Sequence, residues 1–400
     1  MTLDHVRTLS AGINQTGVRA YNERLLLSIL QRNGGLPGSD LARRTGLSPQ
    51  TASVILRKLE QDGLLLKGEP VKGKVGKPSV PYLLNPDGVF SVGLKIGRRS
   101  ADLLVLDPMG NVRHQLRDTY DYPLPKTVFT FLREGFAQLM DEMPGEMRER
   151  LCGVGIAAPF ELWNWHEVLD APADEFAAWK EADFVAEVGR ITALPVRMVN
   201  DATAACRAEH VFGIGREYRD YVYFFIGAFI GGGVVLDHAV FEGNQKNAGA
   251  FGTLPVADLR GQPGHLIDLA SIRTLELRLI RANENPRQLW QQPQDWSHLS
   301  AHVEPWLEQT ADALAIASVA SCAVIDVEAI VIDGAMPSGI RSRLVDMTRT
   351  ALAAKDMRGL IRPKTVEGQI GANARGIGAA AGPIIGQLFL DRSAALFDQG

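Results

Sequence analysis

The stretch LPGSDLARRTGLSPQTASVILRKLEQDGLLLKGEPVKGKVGKPSVP, residues 36–81, decides the fold of the N-terminal part of this chain. Its pattern predicts two short helices around a tight turn, followed by a strand and a basic hairpin. Ser39 is placed to cap the first helix, and Gly46 to end it in the left-handed conformation. Ser48 and Pro49 then open the second helix as its N-cap and first helical residue. This order of elements predicts a winged helix-turn-helix.

The second helix of this motif separates apolar from polar residues. Its apolar residues recur at helical spacing and predict a buried stripe, formed by Ala52, Ile55, Leu56 and Leu59. Polar side chains near the start of such a helix hydrogen-bond to base edges, and basic ones neutralise phosphates. The predicted DNA-contacting residues are Ser48, Gln50, Thr51, Ser53, Arg57, Lys58, Lys72, Lys74 and Lys77. The alternative is a small helical bundle with a solvated charged loop; the order of turn, cap and basic glycine hairpin favours DNA binding.

Charge is unevenly distributed along the 400 residues. Residues 1–88 contain 12 Lys and Arg against 7 Asp and Glu, and the remainder contains 30 against 39. A basic head on an acidic body is consistent with one end on nucleic acid and another with a separate task. The length predicts two or three domains. We divide the chain into a flexible N-terminus at 1–17, a winged head at 18–88 and a body at 89–400.

The cysteines indicate where the protein works. Cys152, Cys206 and Cys322 are odd in number and set among apolar neighbours, which predicts buried free thiols in a reducing compartment. The N-terminus has no apolar signal core. The longest apolar run, residues 313–325, is shorter than a membrane span. We therefore expect a soluble, cytoplasmic protein.

The body reads as two similar halves. Strand and helix patterns alternate from residue 89, and the same order begins again at Tyr221. Each half starts with antiparallel strands and continues as strand–helix units. This pattern predicts a duplicated α/β domain with a cleft between its halves. Within it, residues 176–191 are predicted as one helix and 371–390 as a final helical region.

Four stretches of the body, together with the head, resemble the ROK family of bacterial repressors and sugar kinases. They read GVGIAAPF at Gly153–Phe160, VNDATAACRAE at Val199–Glu209, GAFIGGGVV at Gly227–Val235 and NAGAFG at Asn247–Gly252. The resemblance covers nearly the whole chain, and five matches in the family's order are specific. It implies an actin-like, sugar-kinase-like body with an interdomain cleft, and the winged head marks the family's repressor branch.

Both phosphate-binding stretches of the family's kinases are altered here. Their first strand carries Asp-x-Gly-Gly-Thr, which handles Mg-ATP phosphates, whereas this chain reads Lys95-Ile96-Gly97-Arg98-Arg99. The second loop, similar to Gly-Thr-Gly-x-Gly-Gly-Gly, has Phe229 where the family has no side chain. Phosphoryl transfer depends on positioning and charge neutralisation, so we predict a protein that is not an enzyme. Lys95, Arg98 and Arg99 are more typical of a solvated face than of an anion site.

The zinc site that the resemblance implies is altered too. Family members have a His after an Asn-Ala-Gly-Glu-x-Gly run, and then three cysteines. The matching positions here are Thr253, Asp258, Arg260 and His265, which do not make a tetrahedral zinc site. We expect no zinc and no other cofactor.

The sugar pocket of the family is half kept. Asn200 and Asp201 match an Asn-Asp pair in which the Asp is the kinases' general base, and Asn247 is also retained. The family's sugar-binding Glu and His are Ala250 and Thr253 here. We predict Asn200, Asp201 and Asn247 as effector-binding residues. The alternative for Asn200 and Asp201 is a turn and N-cap for the helix that follows.

These features together predict a transcriptional repressor that binds a double-stranded DNA operator as a homodimer or higher homo-oligomer. Its effector would be a sugar, a polyol or a derivative. Ligand would close the cleft and change the spacing of two heads on a pseudo-palindromic site. The alternatives are a sugar kinase with an added DNA-binding head, and a regulator that no longer binds a sugar.

Overall fold

A computed structural model describes residues 15–70, 79–160, 162–166 and 171–390. They form two compact units. The first, called the head, contains the described residues up to Val89 together with Ile385 to Leu390. The second, called the body, contains those from Phe90 to Ile384.

The head has three helices and a three-stranded sheet in the order β1-β3-β2. Its helices enclose a core that includes Leu26, Leu30 and Leu41 and the predicted stripe of the third helix, Ala52, Ile55, Leu56 and Leu59. This is the predicted winged helix-turn-helix. The elements are α1 (Gln15–Asn33), β1 (Leu36–Pro37), α2 (Gly38–Thr45), α3 (Pro49–Gln61), β2 (Leu65–Lys67) and β3 (Pro81–Leu84).

The turn chemistry of the head follows the sequence at two of three positions. Gly46 has φ of 70° and ends α2 in the left-handed region. Ser48 caps α3, since its Oγ accepts a hydrogen bond from the Thr51 amide at 3.1 Å. The predicted cap at Ser39 is wrong. Helix α2 begins at Gly38, so its N-cap is Pro37, two residues before Ser39, and Pro37 makes no side-chain hydrogen bond.

The body contains two lobes, each with a five-stranded sheet. The strand order is β6-β5-β4-β7-β8 in the first lobe and β11-β10-β9-β14-β15 in the second. In both, the first three strands in sequence are antiparallel and the last two run parallel to the first. The identical order confirms the predicted duplicated α/β fold. The strands are β4 (Phe90–Ile96), β5 (Ser100–Leu106), β6 (Val112–Thr119), β7 (Leu151–Ala158), β8 (Val196–Asn200), β9 (Tyr221–Ile226), β10 (Ile230–Leu236), β11 (Ala239–Phe241), β14 (Ala329–Gly334) and β15 (Lys364–Glu367), with β12 (Pro255–Ala257) and β13 (Pro263–His265) forming a small separate hairpin.

The helices of the body differ from the sequence prediction mainly at one break. Residues 176–191, predicted as one helix, belong to two. The first ends at Glu181, and Asp183 caps the second by accepting a hydrogen bond from the Ala186 amide at 3.0 Å. The helices are α4 (Pro125–Glu142), α5 (Gly145–Glu149), α6 (Ala173–Glu181), α7 (Phe184–Thr192), α8 (Asp201–Phe212), α9 (Leu266–Ala270), α10 (Ile272–Arg281), α11 (Ser300–Ile325), α12 (Ser338–Ala353) and α13 (Ala374–Leu388).

Helix α13 starts in the body, where glycines let it lie directly on the first sheet. A Cβ at Gly155 would meet the Ala379 carbonyl oxygen at 1.8 Å, and one at Gly93 would meet that of Gly376 at 2.6 Å. The Ser91 hydroxyl donates to the Ala380 carbonyl at 2.5 Å. The glycines therefore fix the position of the first turns of α13, including Arg375.

The last turn of α13 belongs to the head. Residues 385–390, which the sequence analysis assigned to the body, cluster with the described residues up to Val89. Within this unit the Leu390 amide donates to the Ser28 hydroxyl of α1 at 2.9 Å. One helix thus has its first turns in the body and its last in the head.

The segment Ser297–Ile325, which includes helix α11, is long and apolar enough to cross a membrane by length and composition. In the fold, however, Trp306, Leu307 and Leu314 of this helix are fully buried, and α11 packs along α12 and α9. The apolar face of α11 is therefore part of the hydrophobic core of the body. Cys152, Cys206 and Cys322 are free thiols; Cys206 and Cys322 are buried, as predicted, whereas Cys152 is only partly buried, and its burial raises its pKa to about 12.

Candidate functional site

The polar face of α3 is exposed, as a DNA-reading helix requires. Gln50, Ser53 and Arg57 lie along it about one turn apart, and all are exposed. The Arg57 Nε donates to the Ser53 carbonyl at 3.3 Å, so this arginine stays close to its own helix. The remaining members of the predicted set in this helix are also exposed, namely Ser48, Thr51 and Lys58.

Two of these side chains have structural partners. The Ser48 and Thr51 hydroxyl oxygens lie 2.8 Å apart at the helix start, so both take part in capping. Lys58 pairs with Asp62 one turn further along α3. Gln50, Ser53 and Arg57 therefore become the preferred DNA-contacting candidates. Lys72, Lys74 and Lys77, predicted to contact phosphates from the hairpin, lie outside the described residues.

Val54 is a further candidate on this helix that was not among the predicted residues. This apolar side chain is 51% exposed, four residues after Gln50 and three before Arg57. An apolar contact with a thymine methyl group is one way in which a major-groove helix reads a base. Its position outside the buried stripe was the signal that could have identified it.

A cavity of about 320 Å³ in the body contains all three predicted effector residues. Asn200 and Asp201 line it from the end of β8 and the start of α8, and Asn247 lines it from the loop after β11. Asn200 is also the N-cap of α8, since its Oδ1 accepts from the Ala202 and Thr203 amides at 2.9 and 3.2 Å. The ligand-contact and helix-cap interpretations of Asn200 are thus compatible. The other lining residues are Arg98, Pro159, Phe160, Leu162, Ala202, Phe225, Ala228, Phe229, Ile230, Gly231, Gly249, Ala250, Gly252, Thr253, Ile267 and Arg375.

Asp201 has a cationic partner that sequence reasoning did not find. Arg375 Nη1 donates to Asp201 Oδ2 at 3.1 Å, and the Arg375 guanidinium lies 5.1 Å from the centre of the Phe225 ring. The two partners are 174 residues apart, so no local pattern could identify the pair. The Arg375 guanidinium thus occupies one of the two carboxylate oxygens of Asp201.

Lys95 is buried, so the expectation of a solvated face is wrong for this residue. Its Nζ donates to Asp102 Oδ2 and to the Ser100 hydroxyl, both at 2.8 Å. Burial lowers the pKa of Lys95 to about 8, although the Asp102 charge opposes the change. Burial would raise the pKa of Asp102, but the charges of Lys95 and Arg117 outweigh it and the pKa is lowered.

Arg98 is also buried, and it connects the two lobes within the body. Its Nη1 donates to Glu276 Oε2 at 2.6 Å, and its guanidinium lies 5.7 Å from the centre of the Phe229 ring. Arg98 and Phe229 are the departures from the family's two phosphate stretches, and they contact each other. Arg98 and Phe229 thus place two contacting side chains at positions where the resemblance implies glycines. Arg99 is only partly buried, and its Nη1 donates to the Asp121 carbonyl at 2.9 Å.

The loop that matches the family's zinc site is closed by hydrogen bonds. Strands β12 and β13 pair across it, and Asp258 Oδ1 accepts from the Arg260 and Gln262 amides, both at 2.8 Å. In the part of the chain that the structure describes, no group of three or more His, Cys, Asp or Glu side chains could hold a metal ion.

Comparison with known proteins agrees with this architecture. The model of the ROK family matches residues 91–381, and the model of a winged helix-turn-helix DNA-binding domain matches residues 19–65. The chain is 22% identical over 246 residues to the xylose repressor of Bacillus spizizenii, a match that spans 61% of this chain and 62% of the repressor.

Two solved structures share the fold. A ROK family transcriptional regulator, a homologue of the E. coli MLC protein, superposes with a TM-score of 0.65 at 21% identity, covering 93% of this chain and 96% of its own. A ROK family glucokinase from Streptomyces griseus in complex with glucose and AMPPNP gives 0.56 at 19% identity, covering 73% and 98%. The first likeness includes the head, and the second is confined to about three quarters of this chain.

Proposed function

This chain belongs to the ROK family, and we propose that it is a DNA-binding transcriptional repressor whose body binds a sugar-related metabolite without phosphorylating it. The observation that carries the proposal is the contact between Arg98 and Phe229, in a chain that also has an exposed reading helix. A sugar-kinase-like body in which these two side chains replace glycines, and in which Lys95 replaces the first-strand carboxylate, can still bind a small molecule but lacks the groups that position Mg-ATP for phosphoryl transfer.

The head supports the DNA-binding half of the proposal. A helix buried along one stripe and polar along the other is the form that enters a major groove. Gln50 can form two hydrogen bonds with an adenine edge, and Arg57 can neutralise a phosphate. A homodimer would present two such helices to a pseudo-palindromic operator on the chromosome, in the cytoplasm.

The body supports a binding role without catalysis. Transfer of a phosphoryl group needs positioned phosphates, metal ions that neutralise them and a base that accepts the hydroxyl proton. Lys95 stands where the family's kinases have a carboxylate, and Asp201 is held by Arg375 at 3.1 Å. The cavity beside them still offers Asn200, Asp201 and Asn247 to a polar ligand.

Helix α13 provides a covalent route from the ligand cavity to the head. Arg375 lies on its first turn and lines the cavity, and residues from Ile385 onward cluster with the head. A ligand that changes the partner of Arg375 would act on the first turn of a helix whose end belongs to the DNA-binding unit. Coupling requires that the ligand favour one arrangement of this helix over another.

Selection of genomic DNA tests the DNA-binding half. The purified full chain is mixed with sheared genomic DNA of its own organism, and bound fragments are sequenced. We expect a few strongly enriched sites, which a Gln50→Ala/Arg57→Ala variant loses. Arg148→Ala, which removes one exposed charge from the body, is the matched control and should retain them. Equal enrichment by the Gln50/Arg57 variant would contradict the proposed reading helix.

A phosphorylation assay tests the other half. With Mg-ATP and a panel of hexoses, the chain should transfer no phosphate above the rate of a protein-free control. Turnover with any of these sugars would show that the body is a kinase and would favour the alternative of an enzyme with an added head.

A further inference from the structure

A second cavity of about 70 Å³ in the body shares Arg98, Ala228 and Arg375 with the main cavity. We propose that this second cavity, the anion subsite, holds a phosphate or carboxylate group of the effector. The effector is then an anionic sugar derivative, with its ring in the main cavity. That last step rests on the proposed function. The charged residues that line the subsite are Lys95, Arg98, Arg99, Arg117 and Arg375, with Asp102 as the carboxylate among them.

Two arginines at the boundary between the cavities have unused donors. Arg98 is 8% exposed, and its buried Nε has no hydrogen-bond partner in the described structure. The buried Nε of Arg375 likewise has none. Because an unsatisfied buried N–H costs free energy, an acceptor that reached either Nε would be bound favourably. A guanidinium fork matches the geometry of a phosphate or carboxylate.

The rings beneath these arginines keep the guanidinium groups in place. Arg98 stacks on Phe229 at 5.7 Å and Arg375 on Phe225 at 5.1 Å, measured from Cζ to the ring centre. Their Nη1 atoms are held by Glu276 and Asp201. With one edge of each fork fixed, the orientation of the remaining Nε is set before a ligand arrives, which reduces the cost of binding.

Existing carboxylates do not cancel the positive charge of the subsite. Four carboxylates pair with the five lining cations: Asp102 with Lys95 at 2.8 Å and Arg117 at 3.5 Å, Glu276 with Arg98 at 2.6 Å, Asp121 with Arg99 at 3.7 Å and Asp201 with Arg375 at 3.1 Å. Two of the four are shared with a further arginine, Glu276 with Arg273 and Asp121 with Arg287. The surplus is positive, and a small buried volume strengthens its effect on an anion.

The altered sugar pocket is consistent with this ligand class. Ala250 and Thr253 replace a carboxylate and an imidazole that would bind a neutral sugar through its hydroxyls, and both line the main cavity. A charged group in the neighbouring subsite supplies the affinity that those lost hydrogen bonds would have given.

Small anions test the subsite without knowledge of the sugar. Binding of inorganic phosphate and of acetate to the full-length protein is measured by calorimetry. Arg117→Gln, at a position 39% exposed, should weaken binding about tenfold, which corresponds to about 1.4 kcal/mol. Arg98→Gln/Glu276→Gln should do so as well, because it removes one donor without leaving a buried charge unpaired. Arg148→Gln, which removes a remote exposed charge, should bind like the wild type.

Asp201→Asn gives a change in the opposite direction. It removes a carboxylate beside the subsite and releases Arg375, so phosphate or acetate should bind roughly threefold more tightly. Asp141→Asn, which removes an exposed carboxylate elsewhere, should have no effect. Weaker anion binding by Asp201→Asn would overturn the proposal, because it would mean that Arg375 does not contribute to an anion site.

The remaining outcomes distinguish a sugar phosphate from a sugar acid, and they test the anion subsite separately from the repressor function. Preference for phosphate identifies a sugar phosphate as the effector class, and preference for acetate identifies a sugar acid. Absence of saturable binding, or equal binding by Arg117→Gln and wild type, would overturn the anion subsite. Selective enrichment of genomic DNA would be unaffected by that result, so the proposed repressor function would stand or fail separately.

Discussion

Arg57 of the head and Arg98 of the body are the same side chain in opposite environments. Arg57 is exposed on α3, with its Nε on a carbonyl of its own helix. Arg98 is 8% exposed, and Glu276 and the Phe229 ring fix its position. The attraction between an exposed cation and a polyanion is unspecific and is weakened by salt. A buried cation attracts only an anion that binds next to it. The head therefore suits a long phosphate backbone, and the body suits one small anion.

Breaking the buried ion pair should have the largest effect. Glu276→Ala leaves the Arg98 charge buried without its carboxylate, and we expect a loss of about 3–5 kcal/mol of stability. Trp290 reports on this site during urea unfolding, because its indole N–H donates to Glu276 at 2.8 Å. Glu304→Ala breaks an exposed pair with Arg343 in the same lobe and should change stability little. Similar losses in both variants would refute the contrast between buried and exposed pairs.

Alkaline pH should weaken the anion subsite and leave the arginine charges unchanged. The charged groups that act on Lys95 are Asp102, Arg375 and Arg117, and the Tyr120 hydroxyl donates to the Gly97 carbonyl at the end of the same strand. The pKa of Asp102 is lowered and burial raises that of Tyr120, so Lys95, with its pKa lowered to about 8, is the group that titrates. An anion favours protonated Lys95, and its affinity should therefore fall as pH rises through 8.

Sulfate is the suitable probe for this pH dependence, because it keeps its charge across the range. Between pH 7 and 9.5 we expect its affinity to fall about tenfold, because the subsite loses one positive charge beside the bound anion. Lys95→Met/Asp102→Asn removes both charges of the pair, so its affinity for sulfate should not change over this pH range. A fall that persists in this double variant would assign the titration to another group.

Removing the exposed cation should have the smallest effect and a different signature. Arg57→Ala should weaken binding to all DNA sequences by roughly fivefold and lower the slope of log affinity against log salt by about 0.9. Arg148→Ala, with the same loss of charge on the body, should leave the slope unchanged. A sequence-dependent loss without a change of slope would place Arg57 on a base edge.

Several features of the fold were predictable because they depend on local chemistry. Gly46 and Ser48 act as turn and cap through their own backbone and side chain, with no need of distant residues. The sequence pattern did not predict the break at Asp183 or the strand Lys364–Glu367, for two different reasons. Asp183 lies in a sequence whose apolar residues continue at helical spacing, which hides the break between the two helices. The strand is short and partly polar, so it forms because it pairs with β14.

For the site, the sequence by itself determined the cluster of unusual residues, and the tertiary structure decided how these residues are arranged. Lys95, Arg98 and Phe229 stood out as side chains that a kinase's phosphate stretches exclude. Whether the cations faced water or the interior depended on partners that the chain brings from far away, Glu276 178 residues from Arg98 and Arg375 174 residues from Asp201. The side-chain type of a charged residue is fixed locally, but its burial depends on whether folding supplies a counter-charge and a cavity wall.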